Sequence, residues 1–437
     1  MTAVDDISGT SALSGTSVVS ATSGTPSAPD RRSVISVLRR LRSPEGQRDP
    51  GPLWAELRAM GDVVPAPWGG YFVTGYEACS QVLRGRNWLA PDFAWQARQP
   101  DPDAFRALAT QEMWRTLSRL NAPAHTCQRR ALGNLFDRGT IEDMRPQVTD
   151  HVGHLLDDLA AQLAAHGEAD FVATVGERLP IHTVGRWLDL PPEDHARILS
   201  FTHRQVHAQE LLPTKSQLQI SAAATLDMRD YFTQLIGRRR EKPGGDVLSS
   251  WIRHWDAQFP GDRESADQLL YDLTMFITIA SLETTATLLT NVAWLLTREP
   301  AQWNWLREHP EHVTDAVDEA LRYDPPIHLN SRIAADDTVL AGVPIAKDTM
   351  VHVLYGAANH DPRVNPDPGR FDVLRGGAHL TFGGGAHYCL GAALARLEAH
   401  TLLTELLNRF PTLRPAAAPE YETRMVFRRV TSLKVTA

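Results

Sequence analysis

The run 265–298 limits the folds open to this chain more than any other stretch. Leu270, Leu273, Ile277, Ala280, Thr284 and Leu288 recur at helical spacing, and Pro300 stands just past the end. Ser265 followed by Gln268 has the form of a capping box. At 1.5 Å per residue such a helix is about 50 Å long, enough to cross a domain. It is apolar on nearly every side, so it is expected to be buried. Amphipathic patterns at 125–136, 142–165 and 216–240 supply helices to surround it. Segments 53–58 and 76–83 read as shorter helices. Segments 62–64 and 71–74 flank Pro67-Trp68-Gly69-Gly70 and read as a hairpin, and 87–101 reads as an irregular loop. The expected class is mainly α: one helix-rich domain with small β-sheets.

Composition removes several alternatives. A net charge of −8 over 437 residues gives no general case for nucleic-acid or membrane-surface binding. No run of about 20 consecutive apolar residues is present, nor a basic N-terminal segment followed by an apolar core. Cys79, Cys127 and Cys389 are an odd number and widely spaced, which fits neither a disulfide framework nor a zinc pattern. A reducing cytoplasm is the expected location. Residues 1–30 are rich in Ser, Thr, Gly and Ala and are expected to be a disordered tail, leaving 31–437, a length that allows one large domain or two ordinary ones.

Residues 382–391 read Phe-Gly-Gly-Gly-Ala-His-Tyr-Cys-Leu-Gly, and a helical run follows at once. The loop delivers one cysteine, Cys389. Backbone N–H groups around the sulfur and a helix N-terminus behind it would favour a thiolate. A thiolate is what haem iron needs where O–O cleavage is the task, because sulfur pushes electron density onto the metal. Gly383 to Gly385 can turn with positive φ and approach a flat macrocycle, and Gly391 leaves room beside it. The plainer alternative is a glycine-rich turn that buries a structural cysteine. Within the long helix, residues 280–285 read Ala-Ser-Leu-Glu-Thr-Thr. An acid beside an alcohol in an apolar helix is costly unless partnered or used. Here the plainer alternative is a Thr284 bonded back to its own helix and a Glu283 in a salt bridge.

The pattern Phe-Gly-x-Gly-x-His-x-Cys-x-Gly resembles the haem-binding signature of the cytochrome P450 family, with every position filled. The resemblance covers about residues 50–437. It is strongest to soluble bacterial members, such as secondary-metabolism monooxygenases of actinobacteria. It implies the P450 fold, with haem b between the long central helix and the cysteine-loop helix. It implies Cys389 as the axial ligand of the iron and Phe382 and Gly391 beside the ring. His125, Arg129, Arg332 and His387 would be the partners of the haem propionates. Thr284 would hold the activated oxygen with its water, and Glu283 would relay protons. The family usually has Gly where this chain has Ser281; a serine there could bond the carbonyl of Ile277 and bend the helix. Glu319 and Arg322, three apart, resemble the family's Glu-x-x-Arg pair, with Arg370 at the place of its later arginine, as a structural network.

The implied activity is monooxygenation of a small molecule, a secondary-metabolite intermediate, by hydroxylation or epoxidation. O2 would be co-substrate, and electrons would come from NAD(P)H through a ferredoxin and its reductase. Arg129 and Arg130 are expected to help attract that acidic partner. Oxidative C–C, C–N or C–O coupling at the same haem is the alternative, and a non-catalytic haem-fold helper is a remote one. A monomer is expected. Trp88, Phe93, Ala280, Ser281, His328 and Asn330 are the expected pocket residues. Their mixture favours a polar, aromatic or amino-acid-derived substrate.

Overall fold

The computed structural model describes residues 30–133 and 135–437; the expected disordered tail, apart from Asp30, lies outside the described residues. The long helix runs Arg263–Thr297 and is buried over most of its length. Its start differs from the expected cap. Asp262 is the N-cap, accepting the Ser265 N–H at 3.1 Å and the Ser265 hydroxyl at 2.7 Å. Gln268 instead donates to Asp272 at 2.8 Å. An aspartate three residues ahead of Ser265 is the better acceptor, so the helix begins earlier.

Helices Arg178–Leu188, Lys215–Glu241, Val247–Gln258, Val313–Tyr323 and Ala392–Arg409 pack around the long helix. By length and composition it could cross a bilayer, yet most of its apolar window is covered by these neighbours. Two hydrophobic cores meet along it. Leu270 to Leu282 belong to one, and Leu288 to Leu296 belong to the other. Glu283, Thr284 and Thr285 fall at the seam between them, where apolar packing is interrupted and polar groups can be housed.

A five-stranded sheet flanks the helical body. Its order is Val63–Pro65, Tyr71–Val73, Met350–Leu354, Leu329–Ala334, Trp88–Leu89. All neighbours are antiparallel except Tyr71–Val73 with Met350–Leu354. The expected hairpin is present as the first two strands. The region 87–101 is less irregular than its sequence suggested. It holds the strand Trp88–Leu89 and the short helix Phe93–Gln96, capped by Asp92. Strand Leu329–Ala334 is held between Met350–Leu354 and Trp88–Leu89, which fixes the register that presents Asn330 and Arg332.

The Glu-x-x-Arg pair is a buried lock. Arg322 Nε and Nη2 reach Glu319 at 2.7 and 2.8 Å, a bidentate pair with both side chains buried. Arg322 Nη1 also donates to the carbonyls of Asn359 and Pro368. The third arginine is Arg375, which meets Glu319 Oε1 at 3.1 Å. Arg370 was expected there. It gives only its backbone carbonyl to Arg322 and Arg375, while its side chain is 68 % exposed beside Asp372. The segment turns after Arg370, which carries the nearer arginine past the glutamate five residues later.

Arg375→Ala should therefore lower stability by about 1–3 kcal/mol, because it leaves a buried carboxylate oxygen short of a partner. Arg370→Ala should change it by less than about 0.5 kcal/mol. Urea unfolding of the two variants checks the order.

Candidate active site

One cavity of about 630 Å³ lies between the long helix and the cysteine loop. Cys389, Phe382, His387 and Gly391 line one wall, and Ala280, Ser281, Thr284 and Thr285 line the other. Gly383 and Gly385 have φ of 72° and 62°, so both need glycine. Gly384 is extended, but its neighbours explain it: an added Cβ would press on Arg84 and Leu83 at 3.2–3.3 Å. An added Cβ on Gly391 would meet nothing within 4 Å. The loop is closed by the Cys389 N–H donating to the Phe382 carbonyl at 2.8 Å, and Gly391 caps the helix Ala392–Arg409.

The thiol was expected to be acidified by this setting. Its surface faces the cavity, yet the surrounding protein withdraws it from bulk water, and that burial pushes its pKa up. The Gly391 N–H and the charges of Arg129 and Arg396 pull the other way and lose. A metal bound by this sulfur would supply the deprotonation, because coordination ionises a thiol outright.

Positive and imidazole groups crowd the edge of the cavity. His125, Arg129, Arg332 and His387 line it as expected, and Arg119 joins them. Arg332 is 3 % exposed, and its guanidinium reaches only the Ser331 carbonyl. Arg129 donates to the Tyr388 carbonyl at 2.8 Å. The His125 and His387 rings are 4.2 Å apart, and His125 Nε2 has no partner. Among the described residues no carboxylate pairs with any of the three arginines. Burial lowers every one of these groups, and repulsion from neighbouring cations adds to it for Arg119, His125 and His387, taking Arg119 to about 10 and His387 to about 3. Such a cluster fits a dianionic partner. Haem, with two carboxylates, a flat face and an iron for the sulfur, fits both walls at once.

The alcohols of the long helix separate structure from site. Thr274, Thr278, Thr290 and Thr297 each donate to the carbonyl four residues back, and all four are fully buried. Thr284 makes the same bond to Ala280 at 2.7 Å, but of these five it alone lines the cavity. Ser281 also faces the cavity. Among the described residues it does not bond back to Ile277, and the helix continues through it without a break.

Glu283 points the other way, into a buried ionic network. Arg424 Nη1 lies 2.5 Å from Oε1, and His203 Nδ1 lies 2.6 Å from Oε2. Burial alone would raise this carboxyl; the His203 bond and the charges of Arg424 and Arg429 overturn that and hold it at about 2. The partners His203, Arg424 and Arg429 carry no periodic signal that would have joined them to Glu283. Arg119 was likewise missed, because nothing in its spacing to His125 marks it.

The expected substrate wall is partly corrected. Ala280, Ser281 and Asn330 line the cavity. Trp88 instead packs in the core of the sheet, opposite Ala334. Phe93 is 41 % exposed and leans on Trp114. His328 is buried edge-on to Trp54, near Asp324. The observed lining is more apolar than expected, with Phe105, Met113, Trp114, Leu117, Phe276 and Phe427 prominent.

The family model for cytochrome P450 matches residues 306–430, which hold the Glu319–Arg322 lock and the cysteine loop. Nocardicin C N-oxygenase of Nocardia uniformis is 32% identical over 377 residues, covering 84% of this chain and 89% of that protein. The chain belongs to the cytochrome P450 family. Its fold matches the structure of P450BioI in complex with a hexadec-9Z-enoic acid ligated acyl carrier protein, with TM-score 0.81, 27% identity, and 90% and 100% of the two chains covered. It also matches the cytochrome P450 enzyme CxnD for C–S bond formation in chuangxinmycin biosynthesis, with TM-score 0.78, 28% identity, and 89% and 94% covered. As a cytochrome P450 it is a haem oxidoreductase that uses O2.

An unanswered cation near the ring should destabilise the protein without haem and hold haem when it binds. Arg332→Met is expected to raise the stability of the apoprotein by about 1–2 kcal/mol. It should also speed haem loss to a haem acceptor. Chemical unfolding of the apoprotein and a haem-transfer assay check the two signs.

Proposed function

We propose that this cytochrome P450 is a monooxygenase that hydroxylates or epoxidises a largely apolar small molecule, an intermediate of secondary metabolism. One observation carries the reading. Cys389 and Thr284 line opposite sides of one cavity, whose edge holds Arg119, Arg129 and Arg332, none paired with a carboxylate among the described residues. Bound haem supplies oxygen activation, with sulfur donating electron density.

The chain's own residues have separate tasks. Cys389 would ligate the iron of bound haem. His125, Arg129, Arg332, His387 and Arg119 would bind its propionates. Phe382 would pack against the cofactor, held by Arg396 at 4.5 Å from its centroid. Thr284 presents its hydroxyl to the cavity and anchors a water there, while the Ala280 carbonyl orients the hydroxyl. Glu283, ionised and turned from the cavity, would relay protons toward Thr284, as bond cleavage to water requires a proton path. Phe105, Trp114, Phe276 and Phe427 exclude water and hold the substrate. Electrons arrive from NAD(P)H through a ferredoxin and its reductase in the cytoplasm, and the protein works as a monomer.

Oxidative coupling is the second reading. It is favoured by the likeness to CxnD, a cytochrome P450 for C–S bond formation. Product analysis separates the two, since insertion adds one oxygen atom and coupling removes two hydrogen atoms.

Thr284→Ala should keep haem and substrate binding but divert electrons to peroxide. Oxygen uptake, peroxide and product are to be measured with a ferredoxin chain. A product yield per O2 equal to wild type refutes the role given to Thr284. Cys389→Ala should abolish turnover.

A further inference from the structure

The strongest unexplained feature is the ionic network behind Glu283. His203, on the helix His195–Gln205, stands between two carboxylates. Its Nδ1 lies 2.6 Å from Glu283, and its Nε2 lies 3.0 Å from Glu177 Oε1. The first contact is an aligned hydrogen bond; the second is at ion-pair distance but off line, leaving Nε2 without a hydrogen-bond partner. Side-chain exposure falls from 23% at Glu177 through 13% at His203 to 1% at Glu283. The three therefore step from solvent to the long helix, and Thr284 is the next residue.

We propose that His203 is the proton conduit of this enzyme, loaded from the solvent side at Glu177 and discharging to Glu283. It rests on the reading of Glu283 and Thr284 as the relay. His203 acts through Glu283 and touches neither haem nor substrate.

The charges around the ring require a titratable group there. Glu177 precedes the helix Arg178–Leu188, Glu283 lies on the long helix, and Glu422, Arg424 and Arg429 come from the C-terminal segment. Arg424 and Arg429 answer two of the three carboxylates, and a cationic His203 answers the third. His207, beside Glu422, is held toward its neutral form by burial and Arg424, so it does not supply that charge. Burial would lower His203, but Glu177 and Glu283 outweigh it and raise its pKa. The proton is thus stored on the imidazole while Glu283 stays ionised.

The transfer balances as follows. Cationic His203 gives its Nδ1 proton to Glu283, which passes it toward Thr284 and returns to carboxylate. The ring, now neutral with a proton on Nε2, turns. The off-line Nε2 contact leaves room for that turn. The Glu177 carboxylate accepts a proton from solvent, hands it to the bare nitrogen and returns to its ionised form. An arginine in this position would hold the charge but could not hand a proton on, because its guanidinium does not deprotonate in proteins.

His203→Arg keeps a permanent cation between the carboxylates and removes the conduit. The holoenzyme should retain its haem, substrate affinity and melting temperature. Its coupled turnover should fall by about tenfold or more, with a larger solvent isotope effect. Wild-type turnover should be highest below the raised pKa of His203 and decline as pH rises through it; that decline should be absent in the variant. Glu177→Gln, on the solvent side, should give the same isotope signature if His203→Arg fails to fold. A readout independent of turnover is 15N NMR of the His203 ring, which should be cationic at neutral pH in wild type and neutral in Glu177→Gln. Wild-type turnover, isotope effect and pH profile in His203→Arg overturn the conduit. If Thr284→Ala is still uncoupled in that case, only the conduit fails; if Thr284→Ala is also fully coupled, the relay reading fails with it.

Discussion

Three arginines and two imidazoles converge on one edge of the central cavity, with no carboxylate among the described residues to answer them. A folded chain does not ordinarily gather buried positive charge in this way, because each cation loses hydration and repels the next. The arrangement makes sense only with a partner that brings its own negative charge. Strand Leu329–Ala334 must be fixed in register to present Arg332, and the helix Ala124–Gly133 must dock to present His125 and Arg129. The sheet, the cysteine loop and the surrounding helices are all committed to shaping this edge.

On the far side of the long helix the electrostatics are reversed. Glu283 is as deeply buried as Arg332, but it is fully answered by Arg424 and His203. The first cluster has no carboxylate of its own among the described residues; the second pairs its charges internally and reaches solvent at Glu177. Both abut the seam between the two hydrophobic cores, the one length of the helix where polar side chains displace apolar packing. The same interruption gives Thr284 its access to the cavity. Arg424 also donates to the His203 carbonyl, and Glu210 accepts the N–H groups of Met425, Val426 and Phe427. The segment 203–210 and the C-terminal strap therefore form one bonded unit above the cavity.

Local pattern carried much of this into the sequence. The long helix is legible because its apolar period persists for nine turns, and the cysteine loop because each glycine has a distinct steric duty. Chain-distant electrostatics were not legible. Arg375 displaced Arg370 in the Glu319 lock, since five residues of turn geometry decide which guanidinium arrives. Arg119, His203 and Arg424 come from unrelated segments and meet only after folding. The pocket misled for a related reason: Trp88, Phe93 and His328 lie near the cavity in sequence terms, but strand pairing and aromatic packing turn their side chains elsewhere. For Cys389 the Gly391 N–H acts in the expected direction, but burial among the surrounding residues outweighs it.

The central claim is that Cys389 sulfur, on an edge-anchored haem, is the axial ligand. The difference spectrum of the reduced, haem-loaded protein with and without carbon monoxide tests it most directly. A Soret band shifted strongly to the red, the mark of thiolate ligation, is the predicted result. A folded, haem-loaded protein that gives no such shift contradicts the account.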